Sequence, residues 1–310
     1  MRRLLRRTGR RLGTAIKPAG DKAIGAIAVT ALRTIRRFDA DRTAAFTGRT
    51  LRTVGPWLRE NRIGRDNLTA AFPEKTPGEI DEILGRVWEN LGKVGAEFAH
   101  MDRIWDYDPA QGGSKRIEID ARSEAIFNTL IDDNKGALIF SSHLGNWELP
   151  ALAAAAHGLK SAVLFRRPNI AAVDRAVQNI RAVNMGEMVA TTFDAPLRLA
   201  EKLRDGVHVG MLVDQHYGNG VDVTFFGRTA KANPLLARLA RQVECPIHGV
   251  RVVRLPDQRF RCELTEEIAP VRDQDGMIDV QQTMQKITSI IEGWVREHPD
   301  QWLWLHRRWR

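Results

Sequence analysis

His143 and Glu148 stand five positions apart in the run His143-Leu144-Gly145-Asn146-Trp147-Glu148. A neutral imidazole, with a pKa of about 6.5, takes up a proton near neutral pH. A carboxylate on its other ring nitrogen fixes the tautomer and stabilises the imidazolium that forms. The pair therefore suits general-base chemistry. On a continuous helix, positions i and i+5 point roughly 140° apart, so the two side chains can meet only across a bend. The expected geometry has His143 in a loop and Glu148 in the first turn of a following helix, with the carboxylate on one ring nitrogen. No G-x-S-x-G elbow accompanies the pair, and Cys245 and Cys262 lie far from it in the chain. A base without an enzyme nucleophile points to a substrate that supplies its own, most simply a hydroxyl attacking an activated acyl group. The same spacing also arises by chance around structural histidines, so the surrounding elements decide.

Those elements favour a strand-to-helix junction. Ala137-Leu138-Ile139-Phe140 reads as a buried strand, and Pro150-Ala151-Leu152-Ala153 opens a helix. Gly145 permits a tight loop, and proline is tolerated in a first helical turn. From Ala121 onward strands and helices alternate. Strands are expected at 137–141, 161–165, 188–191, 207–213 and 247–255, with an edge strand at 259–265. Helices are expected near 122–133, 150–157, 170–184, 195–205, 232–243 and 279–297. Alternation of this kind implies an α/β fold with a mostly parallel central sheet, flanked by helices on both faces. Function in such sheets sits beyond the carboxyl ends of the strands. His143, Arg166, Arg167 and Asp214 all fall just past expected strand ends.

Each of the other candidates carries a plainer alternative. Arg166-Arg167 places two guanidiniums where a phosphate, a carboxylate or a developing oxyanion could be held, or where a basic loop is simply solvated. Asp214-Gln215-His216 is polar directly after an apolar strand. Asp214 there could orient an arginine or accept from a sugar hydroxyl, and His216 reads as a packing or substrate-contact residue. The closing run Gln301–Arg310 interleaves tryptophan with arginine. That mixture suits a membrane interface, stacking on nucleobases, or burial of the tryptophans in the core.

Composition bounds the setting. The chain has 310 residues and a net charge of +9. Residues 1–37 hold eleven Lys or Arg against the single acid Asp21, so the excess is concentrated there. A basic arm of this kind fits anionic lipid headgroups or nucleic acid. The apolar stretch Ala23–Leu32 is too short for a spanning helix, which needs about 20 residues. Residues 1–60 therefore read as a basic, helical, membrane-associating region lying on a surface, with a disordered basic tail as the alternative for residues 1–15, and residues 61–310 as a catalytic domain. Thr76-Pro77-Gly78-Glu79 is a capping box ahead of apolar residues at helical spacing from Ile80 to Val94. Two cysteines give neither a disulfide framework nor a metal spacing, and fit a reduced compartment.

Assembled in order, the motifs resemble the bacterial late acyltransferases of lipid A biosynthesis, the lauroyl and myristoyl transferases. Five blocks carry the resemblance, over roughly residues 60–310. They are Asn67-Leu68 with Phe72-Pro73-Glu74; the H-x4-E run 143–148; Arg167-Pro168-Asn169; Asp214-Gln215 with Gly218 and Phe225-Phe226-Gly227; and the ending 299–309. The resemblance implies a catalytic His143–Glu148 dyad. It implies an acyl carrier protein thioester as donor and a hydroxyl of a lipid A precursor as acceptor. Arg167, with Arg166, would bind acceptor phosphate or steady the oxyanion, while Asn146, Asp214 and Gln215 would shape the site. No cofactor or metal is implied, because a thioester is already activated. The implied partners are the carrier protein, the glycolipid and an anionic membrane surface, with no nucleic acid. The implied location is peripheral, on the cytoplasmic face of the inner membrane. Another glycolipid or a lysophospholipid, with an acyl-CoA donor, is the alternative. Two departures stand out: no clear N-terminal transmembrane helix, and Lys231-Ala232-Asn233-Pro234 where the family often has threonines.

Overall fold

The computed structural model describes residue 22 and residues 25–108 and 114–309. Most of the basic arm, including its first arginines, lies outside the described residues. A helix over 25–35 (α1) comes first. It is followed by α2 (Ala40–Val54), α3 (Arg59–Ala71), α4 (Pro77–Phe98) and the single turn α5 (Met101–Ile104). The expected boundary between residues 60 and 61 falls at the start of α3. Local signals set these helices. Asp39 caps α2, and the Thr76–Glu79 capping box opens α4 as its sequence predicts. α2 lies along α4, where the Thr47 hydroxyl donates to the Gly92 carbonyl at 2.9 Å. No helix among the described residues is long and apolar enough to cross a membrane.

The remainder is the expected α/β layer structure. In chain order it runs β1 (Ile117–Ile119), α6 (Ala121–Asp132), β2 (Leu138–Ser141), α7 (Leu149–Ala156), β3 (Ser161–Phe165), α8 (Ala171–Asn184), β4 (Glu187–Ala190), α9 (Ala195–Arg204), β5 (His208–Leu212). Then follow β6 (Val221–Phe225), β7 (Arg228–Ala232), α10 (Leu235–Val243), β8 (Ile247–Arg254), β9 (Phe260–Leu264) and α11 (Val280–Glu297). Seven strands form one sheet in the order β1-β9-β8-β2-β5-β3-β4. The five from β8 to β4 are parallel, and β9 reverses direction against β8.

Two local expectations are corrected, and three strands without an expected counterpart are added. β9 is not an edge strand, because β1 pairs with it and covers it. β1 has only three residues, too few for alternation to show in the sequence. β6 and β7 form a separate hairpin around Phe226-Gly227, both with positive φ, as a two-residue turn of this kind requires. Consequently α10 begins at Leu235, after the hairpin ends, and not near 232.

Alternation along the strands divides the molecule. Leu138, Phe140, Val209 and Met211 face Leu199, Leu236, Leu239 and Ile287 from α9, α10 and α11 in a close-packed core. Phe140 stacks on Trp294 at 5.7 Å between ring centroids. Gly249 makes that stack possible, since a Cβ there would lie 2.7 Å from the Phe140 ring. Ile139, Ser141, Val163, Gly210 and Val250 point to the opposite face. That face is not filled to the same degree, and it carries the cavity described next.

Candidate active site

His143 follows β2 by two residues, and Asp214 follows β5 by two residues. The strands are parallel neighbours, with Ser141 opposite Leu212. Equal extension past one register pair brings the two side chains together. Asp214 Oδ1 accepts from His143 Nδ1 at 2.8 Å, and Oδ2 accepts from the His143 backbone N–H at 2.8 Å. Oδ2 also accepts from the Trp302 indole N–H at 2.7 Å. The carboxylate is buried. Burial opposes its ionisation, yet the attraction and hydrogen bonds of His143 hold it well below the usual carboxylate range. With Nδ1 engaged as a donor, Nε2 is the basic nitrogen. The Gln215 amide approaches Nε2 at 3.3 Å.

The expected contact between His143 and Glu148 is therefore not the one formed. Glu148 sits at the N-terminus of α7 and points toward α8. Both its oxygens accept from Arg181, at 2.6 and 3.2 Å. The Arg181 guanidinium lies over the Phe98 ring. Asp214 takes the place beside His143 because strand pairing delivers it from the adjacent strand end.

A buried polar network fixes the loop between His143 and Glu148. Gly145 has φ +58°, and a Cβ on it would lie 2.0 Å from the Val252 carbonyl oxygen, so only glycine fits. Asn146 donates to Glu97 at 2.8 Å. Glu97 in turn accepts both terminal nitrogens of Arg254, at 2.6 and 2.8 Å. Asn90 bridges from the Arg254 Nε to the Gly145 carbonyl. The segment 301–303 closes the arrangement: Gly145 N–H donates to Gln301 O, and Leu303 N–H to His143 O. The tryptophans of the closing run are core residues, with Trp302 and Trp304 fully buried.

His143 opens onto a cavity of about 740 Å³ between the sheet and α6, α7 and α8. Its wall is mainly apolar and includes Phe127, Leu130, Ile139, Leu159 and Val163. The volume falls within the roughly 300–1,000 Å³ of small-molecule sites. Gly210 on β5 leaves space on the floor, with no heavy atom nearer than 3.9 Å to where its Cβ would be. Two histidines in the wall are held neutral. His157, whose pKa is lowered by burial, accepts from the Trp105 indole at 3.0 Å. His208, likewise lowered by burial, donates to Leu130 O at 2.7 Å. Cys262 also lines the cavity, and burial pushes its thiol up to about 12, which disqualifies it as a nucleophile. Arg166 and Arg167 are exposed on the cavity rim, and neither forms an ion pair among the described residues.

Over residues 16–310 the chain matches the family of bacterial lipid A biosynthesis acyltransferases. It belongs to that family. It is also 21% identical, over 271 residues, to Lipid A biosynthesis acyltransferase 2 of Shigella flexneri, a match covering 84% of this chain and 82% of that one. The chain is thus an acyltransferase of lipid A synthesis. In this acyltransferase the structure brings His143, Asp214 and Gln215 together. It sets Glu148, Arg166 and Arg167 on the same cavity and uses Asn146 to anchor the loop.

Sequence reasoning did not single out Trp302, Arg181, Arg254 or Glu97 as site residues. Glu97 alone left a readable signal. It follows Val94 by three positions, on the same face as the apolar residues of α4, and an acid in an apolar stripe requires a buried partner. Arg181 and Arg254 stand in ordinary mixed contexts, and nothing local marks them.

Proposed function

We propose that this acyltransferase moves a fatty acyl chain from an acyl carrier protein thioester to a hydroxyl of a lipid A precursor, with His143 as general base. The observation that carries the reading is an imidazole anchored by a buried carboxylate on Nδ1, with its Nε2 beside an apolar cavity large enough for an acyl chain. The acceptor oxygen attacks the thioester carbonyl carbon while Nε2 takes the hydroxyl proton. Asp214 stabilises the imidazolium. The tetrahedral oxyanion collapses and breaks the carbon–sulfur bond, and the departing thiolate recovers the proton from His143. Arg166 and Arg167 on the rim suit acceptor phosphate or the oxyanion. Gln215 positions the imidazole from the Nε2 side. Glu148 acts through Arg181, which it fixes against the cavity wall, and Asn146 holds the loop.

The basic N-terminal region serves membrane attachment in this reading, at the cytoplasmic face of the inner membrane, where the glycolipid is reached. The test is acyl transfer from carrier-protein thioesters to labelled lipid A precursor in detergent. Wild type should add the mass of one acyl chain, and His143→Ala should not. Equal turnover by the two proteins would overturn the base assignment.

A further inference from the structure

The carboxyl ends of the parallel strands, where the cavity opens, carry exposed apolar side chains that the transfer chemistry does not use. β3 and β4 end side by side, with Thr191 N–H bonded to Phe165 O at 3.0 Å. Arg166 and Arg167 follow β3. Thr191, itself on the cavity, is followed two residues later by Phe193, whose side chain is fully exposed. Leu197, at the start of α9, is 58% exposed. Leu212 ends the neighbouring β5 and Tyr217 follows it, both exposed. Several large apolar groups left exposed at the same ends of three adjacent strands make that end of the sheet costly to hold in water. Arg166 and Arg167, which form no ion pair among the described residues, lie among them.

The basic arm reaches the fold at the same edge. Gly25, in the first turn of α1, packs against Ile170 and Ala172 at the start of α8. A Cβ on Gly25 would lie 2.8 Å from Ala172 Cβ, so the approach is close. That stretch of α8 comes directly after Arg166-Arg167-Pro168-Asn169. Residues 1–21 hold seven Lys or Arg against one acid, and the chain they belong to enters the described structure here.

We infer that the surface at the carboxyl ends of the strands, carrying Phe193, Leu197, Leu212 and Tyr217 with Arg166 and Arg167, is the one that lies on an anionic bilayer, so that the cavity mouth faces the lipid. This inference rests on the proposed glycolipid reaction and adds the orientation of the enzyme. Exposed aromatic and aliphatic groups enter the acyl boundary while guanidiniums meet headgroup phosphates. The basic arm binds beside them, giving two attachments, where a single one holds only marginally. An acidic carrier protein would complement the arginines but would leave Phe193 and Leu197 without a reason to be exposed. With the mouth against the lipid, acyl chains pass between cavity and bilayer without crossing water.

The test uses the full chain. A single environment-sensitive dye is placed at Phe193→Cys, and in a second protein at Asp133→Cys, at the opposite end of the strands. Burial pushes the native thiols of Cys245 and Cys262 up to about 11 and about 12, so the introduced thiol reacts first. Vesicles of phosphatidylethanolamine with phosphatidylglycerol should shift the emission of the Phe193→Cys probe to the blue and leave the Asp133→Cys probe unchanged. Phosphatidylcholine vesicles should do neither. The double variant Phe193→Ser/Leu197→Ser should bind the anionic vesicles at least about tenfold more weakly, while its turnover of detergent-dispersed substrate stays within a factor of two of wild type. A silent Phe193→Cys probe on a vesicle-bound enzyme would overturn the inference in favour of attachment through the arm alone. Unchanged vesicle binding by the double variant with weakened carrier-protein binding would overturn it in favour of a protein dock. Absence of vesicle binding would overturn it outright. His143→Ala should bind vesicles like wild type, so failure of the catalytic reading and failure of this one are separable.

Discussion

Trp302 donates its indole N–H to Asp214 Oδ2 at 2.7 Å, although 88 residues separate them. The carboxylate that orients His143 is thus itself held from behind, by a fully buried side chain of the closing segment. Replacing Trp302 with phenylalanine keeps an aromatic ring in place but removes the donor, along with some buried volume. The negative charge on Asp214 is then less delocalised, and it favours the imidazolium more strongly. The acid limb of the kcat/KM profile should move to higher pH, and kcat should fall about tenfold, as expected for one hydrogen bond to a charged group. An unmoved acid limb would mean that Trp302 only packs.

Asp214 and Glu148 should separate kinetically. Asp214→Asn leaves the shape but allows the wrong imidazole tautomer, and kcat should drop by about 10³ or more. Glu148→Gln and Arg181→Met each strand a largely buried charge, and each should cost about 3 kcal/mol or more in stability. The double variant should be no worse than the poorer single one. Thermal unfolding of the four proteins measures this cycle, and additive losses would show that the two residues act independently.

Gly210 should set the length of acyl chain accepted. Gly210→Leu places a branched side chain on the floor of the cavity, where its Cβ makes only ordinary contacts, none nearer than 3.9 Å. The preferred donor should become shorter by two or more carbons. Discrimination should be about fourfold for each methylene left without a place, following the roughly 0.8 kcal/mol of burying one. Competition between carrier-protein thioesters of different length, read by mass spectrometry of the product, gives the answer.

Acid should destabilise the fold through His306. Its ring lies 6.5 Å from that of His143, and burial lowers its pKa from 6.5 to about 4 against the opposing attraction of Asp214. Above pH 6.5 the residue is neutral in both folded and unfolded chains and contributes no pH dependence. Between 6.5 and about 4 the unfolded chain binds a proton that the folded one refuses, so stability falls as pH falls. The full loss is about 3 kcal/mol. His306→Gln should flatten urea unfolding midpoints across this window, and an equally steep fall in that variant would assign the acid sensitivity to other groups.

The parts of this site legible in the sequence are the local ones. His143, Gly145 and Asn146 announce themselves because strand, loop and helix follow within a dozen residues. Asp214 was visible as a polar residue past a strand, but its partner was not. Only the pairing of β2 with β5, 71 residues on, places it on His143 and leaves Glu148 for Arg181. Spacing along the chain favoured the nearer acid, whereas strand order chose the farther one. The tryptophans at 302 and 304 carried an ambiguous pattern for a related reason: a residue type suited to membrane, nucleobase and core alike is decided by tertiary neighbours. The exposed apolar surface at the strand ends leaves no sequence signal, since exposure of Phe193 is a property of the assembled sheet.

Asn67 on α3 donates to the backbone oxygens of Trp304 and His306, while Gln301, Trp302 and Leu303 bind the His143 loop and Asp214. A ribosome makes His143 and Asp214 long before it makes Trp302. The imidazole and its carboxylate therefore lack their last support throughout most of translation. A chain that stops short of this segment has no finished catalytic centre. Completion of the segment through residue 306 is the event that turns the polypeptide into an enzyme.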